Sequence, residues 1–243
     1  MTSLVKSELI KLLSTRTFHG LMAGAVAVVL VGTVSTIVSA KPESLHGPVH
    51  EETFYVLASI NAGLFALVLG IRSFTDEFRH GTIVTTLLAG GSRIRVLAAK
   101  VIVAAMAAAV MALLTAAVMT GTALVLSSAR GVGFHVTSSD VSGLIGLVAA
   151  LALWGAIGAA LGAVVRHQVA AIVGGLIWVL VVENLGSSLL ADAGRFLPGQ
   201  AAHALADAPV DALAVPVAAV VLGVYATVAT LTAAASLVRR DVT

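Results

Sequence analysis

Six long hydrophobic runs divide the chain, and short polar segments separate them. Each run is about as long as the ~20 residues that an α-helix needs to cross ~30 Å of hydrocarbon. The runs are 18–38, 54–71, 101–126, 141–165, 169–190 and 212–238. The pattern predicts an all-α polytopic membrane protein with six transmembrane helices. Since no polar segment is long enough to bury a core of its own, we expect one transmembrane domain over residues 1–243.

The composition is typical of a chain that is embedded in a membrane. Of 243 residues, 59% are hydrophobic and 11% are charged, less than half the roughly 25% that is usual for soluble domains. The absence of cysteine excludes disulfides and thiolate metal sites. The basic residues stand at the ends of hydrophobic runs rather than in one patch, which argues against a nucleic-acid partner.

The first run, Phe18 to Val38, has two interpretations. Its end, Val38-Ser39-Ala40, resembles a signal-peptidase site. Its apolar core is longer than the ~7 to 15 residues of a signal sequence. A retained membrane span is the better interpretation.

The positive charges are distributed unevenly between the two sides of the predicted membrane. With six spans, eleven of the 14 Lys and Arg residues fall on the side that holds both termini, and Lys41, Arg130 and Arg195 fall on the other. Because Lys and Arg are retained on the cytoplasmic side, both termini and the loop from Arg72 to Lys100 are predicted to be cytoplasmic.

A short amphipathic segment precedes the first run. Its apolar residues Val5, Leu9, Leu12 and Leu13 recur on one helical face. The pattern predicts an N-terminal helix that lies in the membrane interface. The alternative is a solvated flank that only orients the first span.

The loop from Arg72 to Lys100 predicts a second short helix outside the membrane. Thr82 can cap its start, Gly90-Gly91 marks its end, and Ser92 can cap the third span. Its apolar residues Ile83, Leu87 and Leu88 have no domain of this chain to pack against. They indicate either a cytoplasmic partner or a loop that folds back onto the membrane surface.

This loop also carries a family resemblance. The residues concerned are Glu77-Phe78-Arg79-His80-Gly81-Thr82, Leu87-Leu88-Ala89, Arg93 and Lys100. They resemble the first cytoplasmic loop of permease subunits of bacterial ATP-binding cassette (ABC) transporters, in the type-two integral membrane (exporter) family. Glu8 and Lys11 in the N-terminal segment, the six spans, and a glutamate in the fifth span followed by Leu197-Pro198 extend the resemblance over nearly the whole chain.

The resemblance implies a multi-pass permease in the bacterial inner membrane, formed from two copies or from this chain and a homologue. Glu77, Arg79, Gly81, Thr82, Leu87 and Leu88 would couple it to a separate cytoplasmic ABC ATPase. ATP and Mg would be bound by that partner, since this chain contains no G-x-x-x-x-G-K-[ST] phosphate loop. The chain itself is then not an enzyme and needs no cofactor. The cargo expected is hydrophobic or amphipathic: a drug, a lipid or a peptide.

Glu183 is the only charged residue deep in a predicted span. An ionisable group there costs at least ~2.5 kcal/mol unless it is paired or hydrated. It can serve a structural or gating bond, contact a substrate, or reach the interface. The segment from Asp192 to Pro209 is too apolar for an ordinary solvated loop, and the resemblance implies short outer helices that close the translocation path there. Glu183 and Pro198 are therefore candidates for that path or its outer gate, and an ordinary interfacial loop is the alternative.

The sequence also contains two weaker patterns. Gly20 with Gly24, and Gly158 with Gly162, have the four-residue spacing that lets helix backbones approach closely. The second pattern is a group of side chains that could bind a metal ion: His46, His50, Glu51 and Glu52. An exposed loop usually leaves such side chains solvated, so no metal site is expected.

Two other functional classes are compatible with the sequence. A membrane adaptor or immunity protein that transports nothing could use the same docking loop. A secondary carrier is the third choice, but carriers usually keep charges or broken helices near the bilayer midplane, and only Glu183 qualifies.

Overall fold

The structure is a computed structural model that describes residues 1–39, 49–130, 138–206 and 213–239. The described residues form helices and no strands. The α-helices are α1 Thr2–Ser14, α2 Arg16–Ser39, α3 Val49–Arg79, α4 Ile83–Gly90, α5 Arg93–Ala129, α6 Ser138–Val165, α7 Gln168–Ile177, α8 Glu183–Leu189, α9 Pro198–Leu205 and α10 Val215–Arg239. A π-helical turn, Trp178–Val182, joins α7 to α8, and a 3₁₀ helix, Ala191–Phe196, precedes α9.

Within the described residues, five segments are long and apolar enough to cross a membrane. They are α2, α5, α6 from Val141, the continuous α7–α8 segment Gln168–Leu189, and α10. They coincide with five of the six predicted spans, because a run of apolar side chains favours a helix that lipid can surround. The remaining predicted span, 54–71, lies inside α3. That helix is not one of the five, so the count of six is not established.

The predicted loop from Arg72 to Lys100 is largely helical, which corrects the sequence analysis. α3 continues without a break through Arg72 to Arg79. α4 then begins after Thr82, and Gly91 ends it in the left-handed conformation at φ +66°. Ser92 immediately precedes α5, which starts at Arg93 rather than at Val101. Thr82 and Ser92 stand at the expected cap positions, but neither side chain makes a capping hydrogen bond.

α6 is the central helix, and it packs against α3, α5, α9 and α10. Glycines allow its backbone to touch its neighbours. A Cβ atom on Gly158 would lie 2.3 Å from the carbonyl oxygen of Leu67, and one on Gly162 would lie 2.4 Å from that of Ile71. The predicted close approach is therefore confirmed for this pair. It is not found for Gly20, where a Cβ would meet no atom of another described element within 4 Å, and a Cβ on Gly24 would lie nearest to the ring of Phe65, a side chain rather than a backbone.

The segment after α8 packs into the bundle rather than lying beside it. In α9, six of the eight residues are buried, among them Pro198 and Leu205. A Cβ on Gly146 in α6 would collide with the carbonyl oxygen of Leu205. This burial is inconsistent with an ordinary interfacial loop for α9. Residues 207–212, which end the segment from Asp192 to Pro209 and begin the last predicted span, lie outside the described residues.

Arginine side chains close two helix ends whose last carbonyl groups have no partner within the helix. Arg130 donates to the carbonyl oxygens of Ile37 (2.7 Å) and Val38 (2.9 Å) at the end of α2. Near the end of α10, Arg93 donates to the carbonyl oxygen of Leu237 (2.7 Å), and Arg166 donates to the carbonyl oxygen of Ser236 (3.1 Å). These basic residues therefore support the fold.

We expect Gly158→Ala to destabilise the protein by about 1–3 kcal/mol, since its Cβ has no space beside the α3 backbone. Gly223→Ala in α10 is the matched control, because a Cβ there meets no atom within 4 Å. Thermal unfolding in detergent micelles measures both. Equal melting temperatures for the two variants would contradict the close α3–α6 contact.

Candidate functional site

A cluster of four charged side chains joins α1, α3 and α5. We call Glu8, Lys11, Glu77 and Lys100 the charge cluster. Lys100 Nζ lies 2.6 Å from Glu8 Oε2 and 2.9 Å from Glu77 Oε1. Lys11 Nζ lies 2.7 Å from Glu8 Oε1 and 3.1 Å from Glu77 Oε1. Each lysine therefore bridges both glutamates, and the four charges sum to zero.

Most of the charge cluster is buried. The side chain of Lys100 is 2% exposed and that of Glu8 is 5% exposed, whereas Lys11 is half exposed. Lys100 also donates to the carbonyl oxygen of Ser73 (3.0 Å) and lies 5.4 Å above the centre of the Phe74 ring. Buried charges are tolerated only when they are paired and hydrogen-bonded. This explains how charged residues next to predicted spans become part of the packed core.

The pairing changes the acid–base behaviour of α1. Burial pushes the pKa of Glu8 upward, but the charges and hydrogen bonds of Lys100 and Lys11 outweigh burial and hold that pKa below 4.5. Burial pushes the pKa of Lys11 downward, but hydrogen bonds and attraction from Glu8 and Glu77 leave it above 10.5. Both side chains are thus charged over the physiological range.

The charge cluster also holds α4. Lys11 Nζ donates to Thr86 Oγ1 at 3.3 Å, and Thr86 is buried. Ile83, at the start of α4, is 4% exposed and belongs to an apolar group that includes Phe74 and Leu97. The expectation that the apolar residues of this helix find nothing to pack against in their own chain is therefore wrong for Ile83.

The other side of α4 is open. Leu88 is 78% exposed and Val84 is 45% exposed, whereas Leu87 is partly buried beside the group that contains Ile83. Gly81 adopts φ +67°, a left-handed conformation that glycine adopts without strain. It turns the chain so that the backbone N–H of Thr82 donates to the carbonyl oxygen of Glu77 at 3.0 Å. Glu77 thus contributes its side chain to the charge cluster and its backbone to the turn before α4.

Arg79 belongs to a different network from Glu77. Its guanidinium donates to Gln168 Oε1 at 3.0 Å, and Gln168 Nε2 donates to Asp76 Oδ1 at 3.0 Å. Arg72 pairs with Asp76 Oδ2 at 3.0 Å and donates to Thr17 Oγ1 at 3.2 Å. This second network ties α3 to α2 and to the start of α7.

A cavity of about 490 Å³ lies between the two networks. Its polar walls include Lys11, Arg72, Asp76, Thr82 and Thr86. α4 therefore borders open space on one side and the buried Ile83 group on another. This arrangement leaves room for α4 to move relative to α3.

Glu183 lies beside the start of α9 at the opposite end of the bundle. Glu183 is 3% exposed, and its Oε1 accepts a hydrogen bond from the indole N–H of Trp178 at 3.1 Å. The backbone N–H of Gly199 also donates to this carboxylate. A Cβ on Gly199 would collide with Glu183 Oε2, so a side chain at this position would push the carboxylate away from the start of α9. Pro198 and Gly199 begin α9, and Glu183 thereby links α8 to α9.

Sequence reasoning found most of these residues but not their pairing. Glu8, Lys11, Glu77 and Lys100 all belong to the family resemblance, yet nothing in the sequence pattern predicts that they touch. The clearest signal was the isolated Lys100 beside an apolar run, since a buried cation requires nearby carboxylates. The bonds from Gln168 to Asp76 and from Trp178 to Glu183 were missed.

No protein-family model matches this chain, and no curated protein matches it either.

Replacing Lys100 by Met should leave Glu8 and Glu77 with only Lys11 and destabilise the protein by about 3–5 kcal/mol. The double variant Glu8→Gln with Lys100→Met keeps one balanced pair, Glu77 with Lys11, and should be more stable than Lys100→Met alone. Thermal unfolding in micelles tests both. A double variant less stable than the single one would rule out charge balance as the reason.

The pKa of Glu8 predicts an acid-sensitive contribution to stability. Because its folded-state pKa lies below the ordinary 4.5, the contribution is complete above 4.5 and is lost as the pH falls through the lower folded-state value. The difference in melting temperature between wild type and Glu8→Gln should therefore shrink on acidification below about pH 4.5. A constant difference from pH 7 to pH 3 would disprove the linkage.

Proposed function

We propose that this chain is the membrane-spanning permease subunit of an ATP-driven ABC exporter and works with a separate cytoplasmic ATPase. We base the proposal on how α4 is attached to the bundle and on which of its faces is exposed. It is tied to the bundle through Thr86 and the charge cluster, and its opposite face presents Leu88. A helix fixed on one side and apolar on the other is suited to transmit force from a protein that binds it.

Open space beside α4 supports movement of this helix. The cavity of about 490 Å³ borders Thr82 and Thr86. Within the charge cluster, Glu77 Oε2 is buried and has no hydrogen-bond partner among the described residues. A carboxylate with an unused acceptor can exchange partners when α4 moves. The charge cluster can therefore carry a displacement of α4 to α1, α3 and α5 together.

The proposal includes a topology. Residues 54–71 of α3 form a sixth span, both termini and α4 lie in the cytoplasm, and the membrane is the bacterial inner membrane. Its supports are the uneven distribution of Lys and Arg and the length of α3. At about 1.5 Å per residue, its 31 residues cover roughly 46 Å, more than the ~30 Å of hydrocarbon. Two copies of this chain, or this chain with a homologue, enclose the translocation path. The competing function is a membrane adaptor that transports nothing.

Leu88→Ser should greatly reduce co-purification of the ATPase and transport, while leaving the amount of permease in the membrane unchanged. Leu189→Ser at the end of α8 is the matched control, since Leu189 is also 78% exposed but lies at the other end of the bundle. Pull-down of the ATPase and substrate-stimulated ATP hydrolysis provide the readouts. Normal hydrolysis and normal ATPase recovery with Leu88→Ser would exclude α4 as the coupling helix.

Location can be tested separately, since the chain has no cysteine to give a background signal. A single cysteine at Leu88 should react with a membrane-impermeant maleimide only in inverted vesicles, where the cytoplasmic face is accessible. Labelling in intact cells would refute the topology and, with it, docking to a cytoplasmic ATPase.

A further inference from the structure

Two cavities meet beside Glu183. The larger, about 410 Å³, lies between α6, α7 and α10 and is walled mainly by apolar side chains, with Gly174, Trp178 and Tyr225 along its length. The smaller, about 100 Å³, is lined by Glu183 together with Gln200 and His203 of α9. Trp154 and Val179 line both cavities, so the two are adjacent.

Glu183 brings a carboxylate to this place without a cation to balance it. Among the described residues, no Lys or Arg side chain forms an ion pair with Glu183. His203 does not balance it either, because burial lowers the pKa of His203 to about 4 and keeps the imidazole neutral at physiological pH. The contrast with the balanced charge cluster at the other end is clear.

The carboxylate also has unused acceptor capacity. Its two described donors are the indole N–H of Trp178 and the backbone N–H of Gly199. An ionised carboxylate offers about four acceptor positions, so roughly two remain open. A buried carboxylate in that state attracts a positive group, and aromatic rings such as those of Trp154 and Trp178 are also favourable neighbours for a cation.

We propose that the two cavities form one binding site for an apolar cation. Its hydrocarbon body lies against α6, α7 and α10, and its positive group points toward Glu183. The inference rests on the proposed transport function, since it names the substrate class of that path. It narrows the cargo from hydrophobic or amphipathic compounds in general to those with a compact positive group, such as a primary ammonium.

Binding can be measured directly, because the chain has two tryptophans and both line the site. The purified protein in nanodiscs of zwitterionic lipid is titrated with dodecylammonium and with 1-dodecanol, which share a chain and differ in the head group. Tryptophan fluorescence is corrected for partition of each probe into lipid with empty nanodiscs. Wild type should show saturable binding, at least about tenfold tighter for dodecylammonium than for 1-dodecanol.

Glu183→Gln should weaken dodecylammonium binding at least about tenfold and leave 1-dodecanol unaffected. Gly174→Leu should weaken both probes, since a Cβ at Gly174 meets no atom within 4 Å and a leucine can extend into the larger cavity. Asp192→Asn is the matched control, an exposed carboxylate near the same end that lines neither cavity and should change nothing.

Equal affinity of wild type for the two probes, or no saturable binding, would overturn the inference even if Glu183→Gln fails to fold. A Glu183→Gln variant that folds and binds dodecylammonium normally would overturn it as well. None of these measurements involves the ATPase. The inference about the substrate class can therefore fail while the Leu88 experiments still support a transporter. Conversely, the Leu88 experiments can fail while cation binding beside Glu183 is observed.

Discussion

The fold depends on the requirement that charges removed from water be neutralised. At one end of the bundle this is met by the charge cluster, in which Glu8 and Glu77 share Lys11 and Lys100. Because Glu8 and Lys100 are almost completely buried and each would be an unpaired charge without its partners, α1, α3 and α5 can be packed together only as a set. α4 inherits its position from that set through Thr86. The short helices are therefore consequences of the ion pairing as much as of their own sequences.

At the opposite end, dipoles meet part of this requirement. Glu183 receives N–H groups from Trp178 and from Gly199 at the start of α9, where the helix dipole also favours a negative charge. Glycine at 199 favours this arrangement, since a side chain there would displace the carboxylate. The arrangement also requires α9 to be packed into the bundle. The π-helical turn immediately before Glu183 shifts the register of α8 relative to α7, as π-turns near functional residues often do.

The features that sequence could predict are those set by local composition. Five apolar runs became helices long enough to span a membrane, and the glycine pair in α6 does contact α3. Features that depend on distant partners could not be predicted. Arg72 to Arg79 resembled a polar loop, but Asp76 and Glu77 find basic partners and α3 continues. Glu8 and Lys100 are 92 positions apart, and no periodicity connects them. The burial of α9 has the same origin, because Gly146 accepts the backbone of Leu205 only after α6 is in place.

Direct contacts between helix backbones connect the two ends of the bundle. α3 carries Glu77 at one end, and further along, its backbone at Leu67 and Ile71 touches Gly158 and Gly162 of α6. α6 in turn touches α9 at Gly146, and α9 begins beside Glu183. Side chains can absorb a displacement by changing rotamer, but backbone atoms in direct contact cannot, so we expect α3 and α6 to move together. In the proposed transport cycle, a displacement of α4 that reaches Glu77 would therefore move the surface of α6 against which α9 packs. The hydrogen bond between Gly199 and Glu183 is the contact best placed to break in response.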